Sequence, residues 1–244
     1  MRRHWPFLLY AAVVVLHHAL ILAGVPWTIV TKAMLMSSLL LALVLAAFVT
    51  DRPIVHSRRS AWAFAMLCAA VGFSWLGDMG LAVSLELGVA AFAVAHLLYI
   101  GLFVGPGRAR ALPWWAIPYA LVYSPFIGLI WGHLAAFGSL VALYGLLLLG
   151  MAVTSVGVGR VAGLGGLSFL LSETLLVIRM FAPEWLAWFP DPFQDATIML
   201  LYCVGQGLLG YGMVLRLERE PELAAERERR RGERTDRLAP AVSR

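Results

Sequence analysis

Apolar residues run along this chain in long unbroken blocks, separated by short polar groups. The blocks lack the strict alternation of a half-buried strand and exceed the length of a buried core segment. Eight can be marked: Trp5 to Ala23, Trp27 to Val49, Ala61 to Val83, Leu87 to Val104, Pro113 to Trp131, Leu134 to Val153, Val161 to Phe181 and Ala196 to Leu215. Each approaches the ~20 residues that cross a hydrocarbon core as a helix. The pattern therefore predicts an all-α fold, a polytopic membrane helical bundle of about eight transmembrane helices. Polar punctuation supports the divisions. Asp51-Arg52-Pro53 and Arg58-Arg59 follow the second block, Gly105-Pro106-Gly107 with Arg108 and Arg110 the fourth, and Gly157, Gly159 and Arg160 the sixth. The segment from Pro183 to Pro192, rich in Pro and Trp, reads as interfacial. Pro118 and Pro125 fall inside the fifth block, which membrane helices tolerate where neighbours satisfy the freed carbonyls. Met1-Arg2-Arg3 before the first block imitates a secretory signal, but no small-x-small cleavage site follows and further spans come at once. The first block is thus expected to be a transmembrane helix.

Composition agrees. Of 244 residues, 61% are hydrophobic and 14% charged, and the mean hydropathy is +0.82. The formal net charge of +5 is carried by loops and tail, so it speaks of topology and not of nucleic acid. Arg2, Arg3, Arg52, Arg58, Arg59, Arg108, Arg110, Arg160 and the tail arginines all fall on the side of the termini if every block crosses. The positive-inside rule then makes both termini cytoplasmic. The chain divides into a transmembrane domain, residues 1–215, and a charged cytoplasmic tail, residues 216–244, whose mixed Arg and Glu predict a solvated helix fraying into disorder. The third and seventh blocks run in the same direction, which suggests a 4+4 parallel repeat. Cys68 and Cys203 lie in apolar blocks and read as small buried hydrophobes.

Two carboxylates break this apolar pattern. Asp78 follows Leu76-Gly77, and Glu173 follows Leu171-Ser172. A charged side chain at the centre of a membrane helix costs about 2.5–3.5 kcal/mol, so such residues mark function by default. Depth along each helix places Asp78 well into the outer half and Glu173 just past the middle. Lys32, His17, His18, His96, Tyr99, Tyr202 and Gln206 fall in a similar band, with Arg179 near the outer end of the seventh block. A single polar pocket open toward the outer leaflet would give each charge a partner. The structural alternatives are plain: Lys32 snorkels, Arg179 anchors at the interface, and His96 with Tyr99, or Tyr202 with Gln206, bond neighbouring helices. Gly205, Gly207, Gly210 and Gly212 read as close helix packing. Two differently tuned carboxyls can supply a proton donor and a stabilising charge. Metal binding has little support, because no His-x-x-x-His and no acidic cluster at ligand spacing occurs.

The ordered set Lys32, Phe73 to Gly77-Asp78, Phe92 to His96 and Tyr99, Tyr144-Gly145, Gly165 to Phe169, Ser172-Glu173 and Tyr202 with Gln206 resembles the YhhN-like, or lysoplasmalogenase, membrane family. The resemblance covers about Lys32 to Gly212. This chain has Ser172-Glu173 where the family usually has Ser-Asp, and Lys32-Ala33 where it usually has Lys-Pro. The resemblance implies a hydrolase of the vinyl ether bond of lysoplasmalogens, releasing a fatty aldehyde and a glycerophospho-base without metal or organic cofactor. Asp78 and Glu173 would be catalytic, with the acid between them unassigned. Lys32, His96, Tyr99, Ser172, Tyr202 and Gln206 would support them or bind a lysolipid or ether-lipid substrate. A proton-coupled lipid or small-molecule transporter and another lipid hydrolase are the alternatives. An Arg-rich, Lys-poor chain heavy in Ala, Leu and Gly suggests a bacterial source and the cytoplasmic membrane.

Overall fold

The physics of a hydrocarbon solvent demands that each spanning segment satisfy its own backbone, and helices do so. In the computed structural model, the described residues form eight α-helices over the eight apolar blocks: α1 (Pro6–Leu22), α2 (Thr28–Phe48), α3 (Arg58–Leu81), α4 (Leu85–Val104), α5 (Ile117–Ile130), α6 (Gly138–Val158), α7 (Arg160–Phe181) and α8 (Asp191–Glu218). The structure describes residues 4–25, 28–49, 54–105, 114, 117–222, 225–226 and 229, apart from the side chains of 118–120 and 122. Arg2, Arg3, Asp51 to Pro53, Arg108, Arg110 and the tail from residue 230 lie outside them. The protein is an all-α polytopic membrane bundle. Among the described residues six helices are long and apolar enough to cross a bilayer: α2, α3, α4, α6, α7 and α8. The other two are shorter, 17 residues in α1 and 14 in α5.

Local sequence sets the ends. Ser57 caps α3 through a reciprocal capping box with Ser60. Ser84 accepts from the Leu87 amide at the start of α4, with Glu86 in the first turn. Proline opens α1 and α8, where its missing N–H costs nothing. Only Pro125 interrupts a helix interior, in α5, since Pro118 lies in the first turn. The last helix outlasts its apolar block: α8 continues to Glu218, past the boundary expected at residue 215.

Helix α8 is the hub. It lies against α7 along its length and also touches α1, α2, α3 and α6. Glycines make the closest approach possible. A Cβ on Gly165 would come within 2.7 Å of the Leu209 amide nitrogen, one on Gly205 within 2.8 Å of the Phe169 nitrogen, and one on Gly212 within 2.7 Å of the Ala162 nitrogen. These are backbone neighbours that cannot step aside. Packing of this kind, in place of a hydrophobic driving force, holds helices together in lipid. Gly165→Val is therefore expected to lower stability by about 1–3 kcal/mol, read as an earlier thermal unfolding midpoint of the protein in detergent.

Polar contacts sort the ends of the bundle. Arg59 reaches the Gly105 carbonyl at 2.9 Å and Glu220 at 3.3 Å. Tyr211 bonds His4 at 2.8 Å. The starts of α1 and α3 thus share one end with the finishes of α4 and α8. At the other end Arg179 clamps α7 to α8 through Asp191 (3.0 Å), Gln194 (2.8 Å) and Asp195 (2.8 Å). Arg179, read as an interfacial anchor, also bridges two helices at this end.

Candidate functional site

Six helices bring the buried polar residues together. Asp78 sits one turn from the end of α3, 3% exposed. Gly77 before it leaves room for Phe92, whose ring would lie 2.5 Å from a Cβ there. Lys32 approaches Asp78 from the first turns of α2, Nζ to Oδ1 3.4 Å. Tyr202 of α8 donates to the other carboxylate oxygen at 2.7 Å. Asp78 therefore has a cation on one oxygen and a hydroxyl on the other.

Glu173, in the middle of α7 and 6% exposed, has a different neighbourhood. Tyr144 of α6 donates to its Oε2 at 2.9 Å. The same hydroxyl is 3.1 Å from Nε2 of His96 on α4. His96 is fully buried, and its Nδ1 has no hydrogen-bond partner among the described residues. Among those residues no cation makes an ion pair with Glu173.

The two acids are expected to share a pocket, but they do not touch. Contacts connect them in sequence: Asp78 to Tyr202, Tyr202 to the Phe169 ring (centroids 5.4 Å), Phe169 to His96 (5.3 Å), His96 to Tyr144, and Tyr144 to Glu173. A third set closes the same layer. Tyr99 donates to Gln206 Oε1 at 2.7 Å, and Gln206 donates to Ser74 at 2.8 Å. Ten helix-borne side chains from α2, α3, α4, α6, α7 and α8 thus form two carboxyl centres, the Phe169 ring between them, and one neutral set.

Residues named from the sequence fall into place unevenly. Lys32, Asp78 and Tyr202 form one centre, and Glu173 and His96 belong to the other. Tyr99 and Gln206 bond each other. Ser172 points elsewhere, donating to the Ile198 carbonyl at 2.8 Å across the α7–α8 seam. His17 bonds Thr31 at 2.8 Å, and His18 turns back to the Val14 carbonyl at 2.6 Å. Sequence reasoning missed Tyr144 and Ser74 as site residues. Tyr144 carried a signal, an aromatic hydroxyl beside Gly145 within an apolar block, while Ser74 carried none. Gly145 matters too, because a Cβ there would meet the Tyr123 ring at 2.6 Å.

Described residues line a crevice and a groove beside this core. A crevice of about 30 Å3 between α5, α6 and α7 is lined by Tyr144 and Glu173 among apolar side chains. An apolar groove of about 560 Å3 lies between α1 and α8, with no carboxylate in its lining. Among the described residues no three His, Cys, Asp or Glu side chains gather around one point that could hold a metal ion.

Fold and site together define a multi-pass membrane protein with a buried, hydrogen-bonded acid pair. Its sequence matches the profile of the YhhN family over residues 27–213, and the chain belongs to that family. Similar curated proteins are the lysoplasmalogenase TMEM86B of Homo sapiens, 35% identical over 146 residues, and that of Sus scrofa, 34% identical over 147. Each match covers 59% of this chain and 59% of the relative. No solved structure matches the chain significantly.

Proposed function

We propose that this protein hydrolyses the vinyl ether bond of lysoplasmalogens, with Glu173 as the proton donor and Asp78 as the stabilising charge. The observation that carries this reading is the unequal setting of the two carboxyls. One is paired with Lys32 and the other has only the Tyr144 hydroxyl. The names of its relatives supply the substrate class.

The chemistry follows from those settings. A vinyl ether is protonated on the carbon distal to oxygen. Glu173 gives its proton to that carbon, and the double-bond electrons form the new C–H bond. The adjacent carbon becomes an oxocarbenium ion, which the negative field of Asp78 favours. Water adds to this carbon, and its proton returns to the Glu173 carboxylate. The hemiacetal then expels the glycerol alcohol and leaves the aldehyde. Atoms and charges balance: one vinyl ether and one water yield one aldehyde and one alcohol. Tyr144 and His96 hold the Glu173 carboxyl in place, while Tyr202, Tyr99 and Gln206 fix the ring layer beside it. Lys32, a quarter exposed, is positioned to meet the lipid phosphate as well as Asp78.

In this reading all eight helices span a bacterial cytoplasmic membrane, with both termini and the charged tail inside. Grouping of the α1 and α8 termini at one end of the bundle supports it. A four-plus-four repeat also gains support, since the acid of α3 is bonded from α8 and the acid of α7 is linked through Tyr144 to α4. The direct test is aldehyde release from a lysoplasmalogen by the purified protein in detergent. Stoichiometric aldehyde and lysolipid loss is the expected result. A folded protein that releases none, beside an active relative, defeats the assignment.

A further inference from the structure

Resting on the vinyl ether reading, we infer that the substrate's alkyl chain lies in the crevice between α5, α6 and α7, with its alkenyl carbons at Glu173, and that α5 is the wall that yields to admit it. Reaction polarity fixes the direction. The carbon that takes the proton is the one bonded to the rest of the alkyl chain, while the ether oxygen leads to the headgroup. With Glu173 at that carbon, the chain must continue away from Asp78 and Lys32. The crevice on the far side of Glu173 is where it can go. It has Val141 and Val177 toward one end, Leu148 and Leu170 toward the middle of the bundle, and Phe126 and Ile127 of α5 as its outer wall.

The crevice as it stands, about 30 Å3, has room for a water molecule and none for a chain. One wall must therefore move, and α5 is the one least held. It is 14 residues long, is interrupted by Pro125, and packs mainly on α6. Pro125 removes the bond to the Leu121 carbonyl one turn earlier. Beyond that break Ile130 is fully buried with Leu134, Val141 and Ala182, while Ile117 and Leu121 before it are 58% and 67% exposed. The helix is thus anchored at its finish, while the described side chains Ile117 and Leu121 before the break stand exposed. Between the two, the Tyr123 hydroxyl bonds the Ala142 carbonyl, and its ring covers Gly145. That is a latch beside the Glu173 crevice which any larger residue at 145 would dislodge. The α1–α8 groove is roomier, yet offers no proton donor to an alkenyl carbon.

Two measurements test this. The purified protein is photolabelled in detergent with a lysophosphatidylcholine carrying a diazirine in its chain, with and without excess unmodified lysophosphatidylcholine. Adducts removed by the competitor are expected on the peptides holding Phe126–Ile127 and Val177. Competed adducts confined to α1 and α8, or none at all, overturn the inference. This reads binding without turnover, so it stands apart from the activity. In the second, Val177→Phe and, from the facing wall, Leu148→Phe narrow the crevice. Each folded variant is expected to lower the ratio of kcat/KM for a long-chain over a short-chain lysoplasmalogen about tenfold. An unchanged ratio in both variants counts against the crevice. A wild type that cleaves neither substrate defeats the activity instead, and the photolabelling then decides the crevice alone.

Discussion

Glu173→Gln is expected to remove aldehyde release almost completely, by about 10²–10⁴-fold in kcat, while leaving the protein folded. The amide keeps the shape of the carboxyl and can still accept from Tyr144, so the α6–α7 contact survives. It cannot give up a proton to carbon. Structural damage would instead lower the yield of monodisperse protein and raise no specific block in chemistry. The measurement is single-turnover aldehyde formation at saturating substrate, with the thermal unfolding midpoint recorded on the same sample. A stable variant with undiminished turnover would remove Glu173 from the reaction. Glu173→Asp is a useful companion: it keeps the acid but draws it back by one methylene, and an intermediate rate is expected.

The second large effect is on stability. Lys32→Met strands Asp78 as a buried charge, and breaking such a pair costs about 3–5 kcal/mol. Lys32 is 25% exposed, so the cost should fall near 3 kcal/mol, at the low end of that range. Adding Asp78→Asn to Lys32→Met removes the stranded charge, and the amide can still accept from Tyr202. The double variant is expected to regain most of the lost stability and remain inactive. A thermodynamic cycle over the wild type, both single variants and the double variant measures this coupling. Simple additivity of the two single losses would show that the 3.4 Å contact carries no energy.

What the sequence showed of this protein was governed by distance along the chain. Hydrophobic length is local, and all eight helices could be marked from it. Helix ends were legible within a few residues, but α8 ran on to Glu218 because Arg216 and Glu218 continue a helix that apolarity alone does not extend. The two acids were conspicuous, since nothing else in their blocks carries charge at that depth. Their partners depended on which face of each helix met which neighbour. Ser172 shows the difficulty. It adjoins Glu173 in sequence, but successive helical residues point about 100° apart, so it turns into the α8 seam. Tyr144 sits 29 residues from Glu173 and 48 from His96 yet bonds both. Equal depth does not imply adjacent faces: Asp78 and Glu173 each bond their own tyrosine, with the Phe169 ring and His96 between them.

The short helices have a consequence for the surrounding lipid. At about 1.5 Å per residue, the 17 residues of α1 and the 14 of α5 reach about 26 Å and 21 Å. Both fall short of a hydrocarbon core of about 30 Å. In the eight-span reading proposed above, water and headgroups would dip toward the mid-plane along these two flanks, because a deficit in hydrophobic length is met by thinning the bilayer. On the α5 flank the dip adjoins Tyr123 and the crevice that ends at Glu173. On the proposed function, a single-chain lipid there would start already lowered into the membrane, and the water that finishes hydrolysis would have less oil to cross.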